Sequence, residues 1–306
     1  MPDLEVELCG RRLRNPILAS SGTFGYGLEF ASILDLESLG GFVVKGLSRE
    51  PIAGNPPPRI VETAAGMVNS IGLQNVGVRR FVAEKLPRLA KLRTAVYANV
   101  FGYQPEDYVE TIRALEDADG LAGYELNVSC PNTKCGGLQF GADPRLLAEV
   151  VGLAKKAAAR RPLLVKLSPN VSDIALMARA AEDAGADALS LVNTFQALPV
   201  DARTRRPRLG AGFGGLSGPA IKPIALRMVY QAAQAVKVPI VGMGGIVHAE
   251  DVAEFLLCGA AAVQVGSASF WEPPRTARLV GELERFLVEE KISAVRDLVG
   301  ALEMPL

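Results

Sequence analysis

The feature that most constrains this chain is a regular alternation of short apolar runs with longer amphipathic stretches. Each run is rich in β-branched or other apolar residues and ends in a polar residue or a glycine. The runs cover residues 16–20, 42–46, 95–100, 124–129, 163–168, 188–193, 239–245 and 261–267. Such alternation is typical of α/β proteins, because two parallel strands need a helix-length connection between them.

The stretches between and after these runs have helical patterns. They cover residues 28–39, 76–90, 105–118, 144–160, 172–184, 219–236, 249–258 and 274–289. Several begin with helix-entry signals, such as Asp143 before Pro144, Pro105, and Ser172. Eight strand–helix units predict a (β/α)8 TIM barrel. A doubly wound sheet is the alternative, since alternation alone does not show that the sheet closes.

No composition break or flexible linker divides the chain, so we expect residues 1–306 to form a single domain. Three segments that follow predicted strands are longer than ordinary connections in barrels. They cover residues 47–75, 130–142 and 194–218. We expect these long loops on the C-terminal face of the barrel, where ligand-binding loops lie.

Charge and cysteine content narrow the class of partner. The 33 basic and 33 acidic residues balance to a net charge of zero, which argues against a nucleic-acid or membrane partner. We find no long apolar run and no basic, apolar leader at the N-terminus, and we expect a cytoplasmic protein. Four scattered cysteines and one histidine, His248, do not supply the ligands of a zinc or iron–sulfur site, so no metal is expected.

Polar residues stand at the ends of the predicted strands. Lys45, Asn99, Asn127, Lys166 and Asn193 each end a different strand. In a barrel these positions converge on one mouth, so we expect them to line a small-molecule pocket. Any one of them taken singly is also compatible with a turn residue or a surface lysine.

Glycines follow the last two strands, where barrel enzymes often hold a phosphate group. Gly244 and Gly245 follow the seventh strand, and Gly266 with Ser267 follows the eighth. Glycines let backbone N–H groups approach an anion closely, so we expect a phosphate there. Tight turns that need glycine are the alternative interpretation.

A second glycine pattern carries no such meaning. Gly210, Gly212 and Gly215 match G-x-G-x-x-G, but the match follows TRRPRL and does not open a helix directly after a strand. We therefore reject it as a dinucleotide-binding motif. The sequence gives no argument that this chain itself binds NAD.

Cys130 follows the fourth strand in the motif SCPN and begins one of the long segments. Most unpaired cysteines are buried as small apolar residues. The polar neighbours of Cys130 make a poor core, however, and we expect the residue to face the pocket. A thiol near lysines can accept a proton, so Cys130 is the candidate catalytic base. Cys135, in KCGG, is more simply an exposed residue without a role.

Taken together, these motifs resemble the class 1 dihydroorotate dehydrogenases over nearly the whole chain. The matching segments are GTFGYG (22–27), VKG (44–46), GNPPPR (54–59), NSIGLQN (69–75), ELNVSCPN (125–132), VKLSPN (165–170), VNT (192–194), GGLSGPAIKP (214–223), GMGGI (242–246) and VGSA (265–268). GNPPPR and the cysteine of SCPN most resemble the catalytic subunit of the NAD-linked 1B subtype.

The resemblance implies a flavoprotein of pyrimidine (UMP) biosynthesis that oxidises (S)-dihydroorotate to orotate. It implies FMN bound by Ser21, Lys45, Gly46, Asn99, Asn127, Lys166, Val192, Gly218, Gly244, Gly245, Gly266 and Ser267. It implies substrate bound by Lys45, Asn69, Ser70, Ile71, Gly72, Leu73, Asn127, Asn132, Asn193 and Thr194. The C5 proton would go to Cys130 and the C6 hydride to N5 of FMN.

In the 1B subtype the electrons pass to NAD through a partner subunit that carries FAD and a [2Fe–2S] cluster. The resemblance therefore implies a heterotetramer of two catalytic and two electron-transfer chains. A class 1A enzyme, which uses fumarate, is the nearest alternative. More distant alternatives are an aldolase or isomerase with a Schiff-base lysine, a barrel that only binds a metabolite, and a flavin barrel acting on another pyrimidine or on tRNA dihydrouridine.

Overall fold

The computed structural model describes residues 1–128 and 140–305. Its centre is a closed barrel of eight parallel strands that are adjacent in the same order as in the chain. The strands are β1 (Ile17–Ala19), β2 (Gly41–Leu47), β3 (Ala95–Val100), β4 (Gly123–Asn127), β5 (Leu163–Lys166), β6 (Ala188–Leu191), β7 (Ile240–Met243) and β8 (Ala262–Val265). Strand β8 pairs with β1, with Val263 opposite Ile17, and so closes the sheet. The predicted TIM barrel is confirmed, and the doubly wound alternative is wrong.

Helices cover the outside of the barrel and explain why its strands are apolar. Strand β3, for example, is buried over its whole length, because a parallel sheet covered by helices exposes neither face. The main helices are Pro105–Glu116, Pro144–Ala157, Ile174–Asp183, Lys222–Ala233, Ala249–Leu257 and Arg275–Glu289, with a short helix at Ala268–Trp271. Buried apolar residues of the barrel strands and helices form one continuous cluster from Val6 to Leu298, and Val61, Val68 and Leu209 form a small second cluster. We infer from this continuity that the chain is one domain.

Helix entry follows the predicted signals closely but not everywhere. The Asp143 side chain accepts hydrogen bonds from the backbone N–H groups of Arg145 and Leu146, as a helix-capping residue does. The next helix is capped by Asp173, which accepts from the N–H of Leu176. The prediction that Ser172 begins this helix is therefore wrong by one residue.

The first two predicted helices differ from the observed structure. Residues 28–39 form only two short 3-10 turns, Leu28–Phe30 and Leu36–Ser38, because Asp35 between them is extended and caps the second turn. Residues Val78–Leu89 are helical throughout, with a wider π turn at Phe81–Lys85. Pro87, two residues after the end of this turn, has no N–H group to continue the α-helical pattern.

Two of the long segments are built into a small sheet of their own. It is an antiparallel sheet whose strands lie in the order Phe195–Ala197, Gly214–Ser217, Gly66–Asn69 and Ile60–Thr63. A short ladder joins Val200–Asp201 to Arg206–Pro207. We name the four-stranded sheet the cover sheet. The third long segment, 130–142, lies largely outside the described residues, which resume with a turn at Phe140–Ala142.

The opposite end of the barrel is closed by an N-terminal hairpin. Strand Val6–Leu8 pairs with Arg11–Leu13, and the side chains of Leu8 and Leu13 are buried. The thiol of Cys9 in the connecting turn donates to the carbonyl of Asp187, directly before β6. The hairpin therefore lies at the N-terminal ends of the strands and leaves the other end for ligands.

Within residues 1–128 and 140–305, no helix has the length and apolar character needed to cross a membrane. The same residues contain no group of three or more His, Cys, Asp or Glu side chains placed to hold a metal ion.

Candidate active site

A deep pocket lies at the C-terminal ends of the barrel strands, beneath the cover sheet. Its empty volume is about 1320 Å³, part of which is open to solvent. Every one of the eight strands, or the residues directly after it, contributes to its lining. This is the end of a TIM barrel at which ligands bind, because eight strand–helix loops meet there.

The structure brings nearly all of the predicted binding residues together in this pocket. The predicted cofactor residues that line it are Ser21, Lys45, Gly46, Asn99, Asn127, Lys166, Val192, Gly218, Gly244, Gly245, Gly266 and Ser267. The predicted substrate residues that line it are Lys45, Asn69, Ile71, Gly72, Leu73, Asn127, Asn193 and Thr194. Cys130 and Asn132 lie outside the described residues.

Ser70 is the exception among the described residues, because it does not line the pocket. Successive side chains of an extended segment point to opposite sides, and its neighbours Asn69 and Ile71 are the ones that face the pocket. Ser70 is buried on the other side, where its hydroxyl accepts a hydrogen bond from Asn55 Nδ2 at 2.8 Å. Ser70 stays a predicted substrate residue whose side chain does not face the pocket.

A buried carboxylate lies beneath the pocket, inside the barrel. Glu125 of β4 is fully buried and accepts hydrogen bonds from Asn99 Nδ2 at 2.8 Å and Gln264 Nε2 at 2.6 Å. Lys166 Nζ of β5 lies 3.7 Å from the same carboxylate. We name these four residues the pocket floor. They come from four different strands, which places one cation and two amides on a rigid base.

Amide groups form one side wall of the pocket. Asn193 Nδ2 donates to Asn127 Oδ1 at 3.2 Å, and Asn193 Oδ1 accepts from the backbone N–H of Thr194 at 2.8 Å. Tyr108 hydroxyl donates to the carbonyl oxygen of Asn127 at 3.0 Å and holds the end of β4. Neutral amides both donate and accept hydrogen bonds, so this wall suits the ring amides of a pyrimidine.

Glycines after β7 and β8 form an open cradle at the other side. Gly244 and Gly245 have φ angles of 131° and 79°, which side-chain-bearing residues rarely adopt. A Cβ atom on Gly245 would lie 2.8 Å from the carbonyl oxygen of Gly218. A Cβ atom on Gly266 would meet nothing closer than 3.6 Å, so space remains beside this residue. Exposed backbone without side chains fits a phosphate group, as FMN would supply.

Asp251 fixes the turn that carries this cradle. Its carboxylate accepts from the backbone N–H groups of Val247 at 2.7 Å and His248 at 2.8 Å, and from Lys222 Nζ at 2.5 Å. Burial acts to raise the pKa of Asp251, but the hydrogen bonds from Lys222 and the two amides outweigh it and hold that pKa below its usual value. His248 directly precedes the helix Ala249–Leu257.

The rim of the pocket is held by the long segment after β2. The backbone N–H of Asn55 donates to the carbonyl of Ile71 at 3.0 Å. A Cβ atom on Gly72 would lie 2.4 Å from the backbone N of Asn55, and Leu73 is held at a φ of 59°. The rim residues 69–73 are therefore packed directly against the segment that contains Asn55.

The two free cysteines among the described residues serve the fold. Cys9 lies at the opposite end of the barrel, and burial raises the pKa of its thiol to about 12. Burial also raises the pKa of Cys258, which is packed in the core. Neither thiol is placed or ionised to act in the pocket.

Sequence reasoning missed several residues of the site. Glu125 and Gln264 lie two positions before Asn127 and Gly266 on the same strands, so the period-two rule for strands places them on the same inward face. That signal was available. Phe270, which also lines the pocket, follows the glycine turn after β8 and had no comparable signal.

Comparison with known proteins agrees with this geometry. A model of the family "Dihydroorotate dehydrogenase" matches residues 3–287. The chain is 67% identical over 302 residues to the protein of Solibacter usitatus named "Putative dihydroorotate dehydrogenase A (fumarate)", covering 99% of both chains. It is 54% identical over 303 and 302 residues to the proteins of Citrifermentans bemidjiense and Pelobacter propionicus named "Dihydroorotate dehydrogenase B (NAD(+)), catalytic subunit", again over 99% of each chain. The chain therefore belongs to the dihydroorotate dehydrogenase family.

Proposed function

We propose that this chain binds FMN and (S)-dihydroorotate in the pocket at the C-terminal end of the barrel and oxidises the substrate to orotate. The observation that carries the proposal is the convergence of two lysines and three asparagines from separate strands on one pocket with a glycine cradle at its side. This combination suits an anionic phosphate, an anionic carboxylate and a flat ring with amide edges.

Residues of this chain would hold FMN along two sides. Gly218, Gly244, Gly245, Gly266 and Ser267 form the side where the phosphate fits. Ser21, Gly46 and Val192, with the polar residues of the pocket floor, form the side where the ring fits. When bound, FMN supplies the acceptor for the hydride from C6 of dihydroorotate.

Residues on the opposite side of the pocket would hold the substrate. Lys45 can pair with the carboxylate, while Asn127 and Asn193 present amides to the ring. The rim residues 69–73 and Thr194 would exclude water above the substrate. Asn132 is proposed here from the sequence motif alone.

Removal of the C5 proton needs a base, and we propose Cys130 on the strength of its sequence position. Cys130→Ala should keep the bound flavin but lower turnover by about 100-fold or more, as loss of a general base does. Cys135→Ala, in the same segment, is the matched control and should leave turnover unchanged. Unchanged turnover in Cys130→Ala would remove that residue from the mechanism.

The experiment that tests the reaction is an anaerobic visible spectrum of the purified chain before and after adding dihydroorotate. We expect a yellow protein whose flavin band bleaches on addition. Dihydrouracil, which lacks the carboxylate, is the control and should bleach the band far more slowly. A colourless protein that borohydride traps covalently with a carbonyl substrate would point instead to a Schiff-base lysine. A coloured protein that dihydroorotate does not reduce would contradict the proposed substrate.

For the electron acceptor, we propose NAD reached through a partner subunit that carries FAD and a [2Fe–2S] cluster, in a heterotetramer of two chains of each kind. The proteins of Citrifermentans and Pelobacter are named as NAD-linked catalytic subunits, which supports this choice. The Solibacter protein is named for fumarate, which favours a class 1A enzyme as the second candidate.

Acceptor assays separate these two candidates. The purified chain with dihydroorotate should not reduce NAD at an appreciable rate unless the electron-transfer subunit is added. Rapid turnover of the chain alone with fumarate would support the class 1A alternative. Rapid reduction of NAD by the chain alone would contradict the need for a partner.

A further inference from the structure

The buried carboxylate of the pocket floor has no part in the reaction described so far. Glu125 has no exposed surface, and each of its two oxygens accepts one amide hydrogen bond, from Asn99 and from Gln264. Because both amides act as donors here, they match an ionised carboxylate, which only accepts. These two donors suit a negatively charged group directly beneath the pocket that we propose binds FMN.

Lys166 is the cation that compensates this charge. Its Nζ lies 3.7 Å from Glu125 Oε1, and the side chains are 8% and 0% exposed. Among residues 1–128 and 140–305 this ion pair is the polar contact of Lys166, and no hydrogen bond from Nζ to a protein acceptor accompanies it. The Lys166 ammonium is thus held near the carboxylate while its N–H donors stay available to a ligand in the pocket.

We propose that Glu125 is the positioning residue of the pocket floor. It holds Lys166 and Asn99 beneath the ligand and offsets the positive charge of Lys166, so that the pair sets how strongly the site favours a negatively charged flavin. This inference rests on the proposed binding of FMN in this pocket. Glu125 acts through its neighbours and is not itself a catalytic residue.

The sign of the effect follows from the charges. With Glu125 ionised and Lys166 protonated, the floor carries no net charge. Neutralising Glu125 alone leaves a net positive charge in a water-poor site, which stabilises an anion above it. Neutralising Lys166 alone leaves a net negative charge, which disfavours an anion and leaves a buried carboxylate without its partner.

The Gln264 amide makes Glu125→Gln a suitable variant. Gln264 Oε1 is buried and has no hydrogen-bond partner among the described residues. If the Gln264 amide turns over, this oxygen can accept from the new amide N–H at position 125, while the other oxygen site still accepts from Asn99. The variant therefore changes the charge and can retain both hydrogen bonds at position 125.

The test measures the bound flavin without turnover. Sulfite adds to the flavin ring and leaves a negative charge on it, so its Kd reports how the site treats an anion. For Glu125→Gln we expect sulfite to bind about 10-fold more tightly, and the midpoint potential of the flavin to rise by about 30 mV, the equivalent for a two-electron couple. Glu125→Asp, which keeps the charge, should stay closer to the unchanged protein in both measurements.

A matched control separates charge at the floor from loss of a buried carboxylate in general. Glu116 is a second largely buried carboxylate, 11% exposed at its side chain, and it pairs with Arg161 at the other end of the barrel. Glu116→Gln should lower the Tm without changing the sulfite Kd. An equal change of sulfite Kd in both variants would contradict the proposal.

The double variant tests the pairing in protein without flavin. Lys166→Gln alone should lower the Tm of the flavin-free protein, because Glu125 is left unpaired, and Glu125→Gln with Lys166→Gln should recover part of that loss. If Glu125→Gln alone does not fold, a folded double variant still supports the ion pair. An unfolded double variant contradicts it.

The outcomes for this inference and for the proposed function are distinct. Failure of the unchanged protein to bind FMN would remove the proposed function. An unchanged protein that binds FMN, together with a Glu125→Gln variant of unaltered sulfite Kd and potential, would overturn only the role of Glu125.

Discussion

Asp251 shows how one side chain holds the turn on which the glycine cradle depends. Glycines allow backbone to approach an anion, but they also leave the turn with more conformational freedom in the unfolded chain. The carboxylate of Asp251 offsets this by fixing two backbone N–H groups and the ammonium of Lys222. The cradle therefore owes its shape to a residue that does not line it.

Asp251→Asn should lower the free energy of unfolding at pH 7 by about 2 kcal/mol, the range for hydrogen bonds to a charged group. The pKa of Asp251 is lowered in the folded protein, so its carboxylate stabilises the fold above the pKa of the unfolded chain. That contribution is lost as the pH falls through the folded-state pKa. The difference between the two proteins should therefore shrink below about pH 4.

Urea unfolding at pH 7 and at pH 3 measures this difference. Glu250→Gln is the matched control, because Glu250 is an exposed carboxylate directly before Asp251 in the chain. This control variant should change the free energy of unfolding little. A loss in Asp251→Asn that is equally large at both pH values would show that its charge is not responsible.

At the level of elements, the cover sheet decides how the substrate side of the pocket is shaped. Strand Gly214–Ser217 lies between the strands Gly66–Asn69 and Phe195–Ala197, so it joins both long segments. It packs so closely that a Cβ atom on Gly215 would lie 2.0 Å from Thr194 Oγ1. Glycine at this position therefore lets the sheet approach the pocket wall.

Gly215→Ala should displace Thr194 and so weaken substrate binding. We expect KM for dihydroorotate to rise by about 10-fold, or roughly 1.4 kcal/mol of binding, with flavin content retained. Steady-state kinetics and the ratio of flavin to protein absorbance measure the two effects. Phe213→Ala is the control in the same segment, since Phe213 is 62% exposed and outside the pocket lining. An unchanged KM would show that the sheet does not position Thr194 for the substrate.

The cover sheet also marks the limit of what the sequence could predict. The barrel strands were predictable, because continuous apolar runs such as 95–100 are a local signal. The cover-sheet strands are only three or four residues long and pair across a long separation, with Asn69 opposite Gly215. No local pattern specifies such pairing, so the segments 47–75 and 194–218 were expected only as loops.

The same distinction holds for the site. Residues at strand ends, such as Lys45 and Asn127, could be predicted because a parallel barrel brings all its strand ends together. The hydrogen bonds of Glu125 could not be predicted in this way, because they depend on the order of the strands around the barrel. The sequence shows that order only if the sheet is already known to close.

Over the whole molecule, the two ends of the barrel have different tasks. The C-terminal end carries the pocket, and the N-terminal end carries a buried network built around Arg161. Arg161 donates to Tyr124 hydroxyl at 3.0 Å and to the carbonyl of Leu121 at 3.2 Å, and it lies 3.6 Å from Glu116. Tyr124 and Glu125 are consecutive on β4, and their side chains point to opposite sides of the strand. Tyr124 belongs to the network around Arg161, whereas Glu125 belongs to the pocket floor.

Arg161→Met should therefore destabilise the protein while leaving the site intact. The Arg161 side chain is 8% exposed, and its removal leaves the Glu116 carboxylate without its cationic partner and several carbonyl oxygens without their buried donor. Breaking a buried ion pair in this way costs about 3–5 kcal/mol, which should lower the Tm by several degrees. At 25 °C, where the variant remains folded, KM, flavin content and the sulfite Kd should match those of the unchanged protein.

Arg80→Met provides the comparison that isolates burial. Arg80 pairs with Glu84 one helical turn away, and these side chains are 64% and 54% exposed. An exposed pair of this kind contributes only about 0.3–0.5 kcal/mol, so its loss should leave the Tm almost unchanged. Differential scanning calorimetry of both variants, with kinetics at 25 °C, separates the two ends of the barrel. If Arg161→Met lowers the Tm and also loses bound flavin at 25 °C, the two ends of the barrel are coupled. Independent ends would leave the flavin content unchanged.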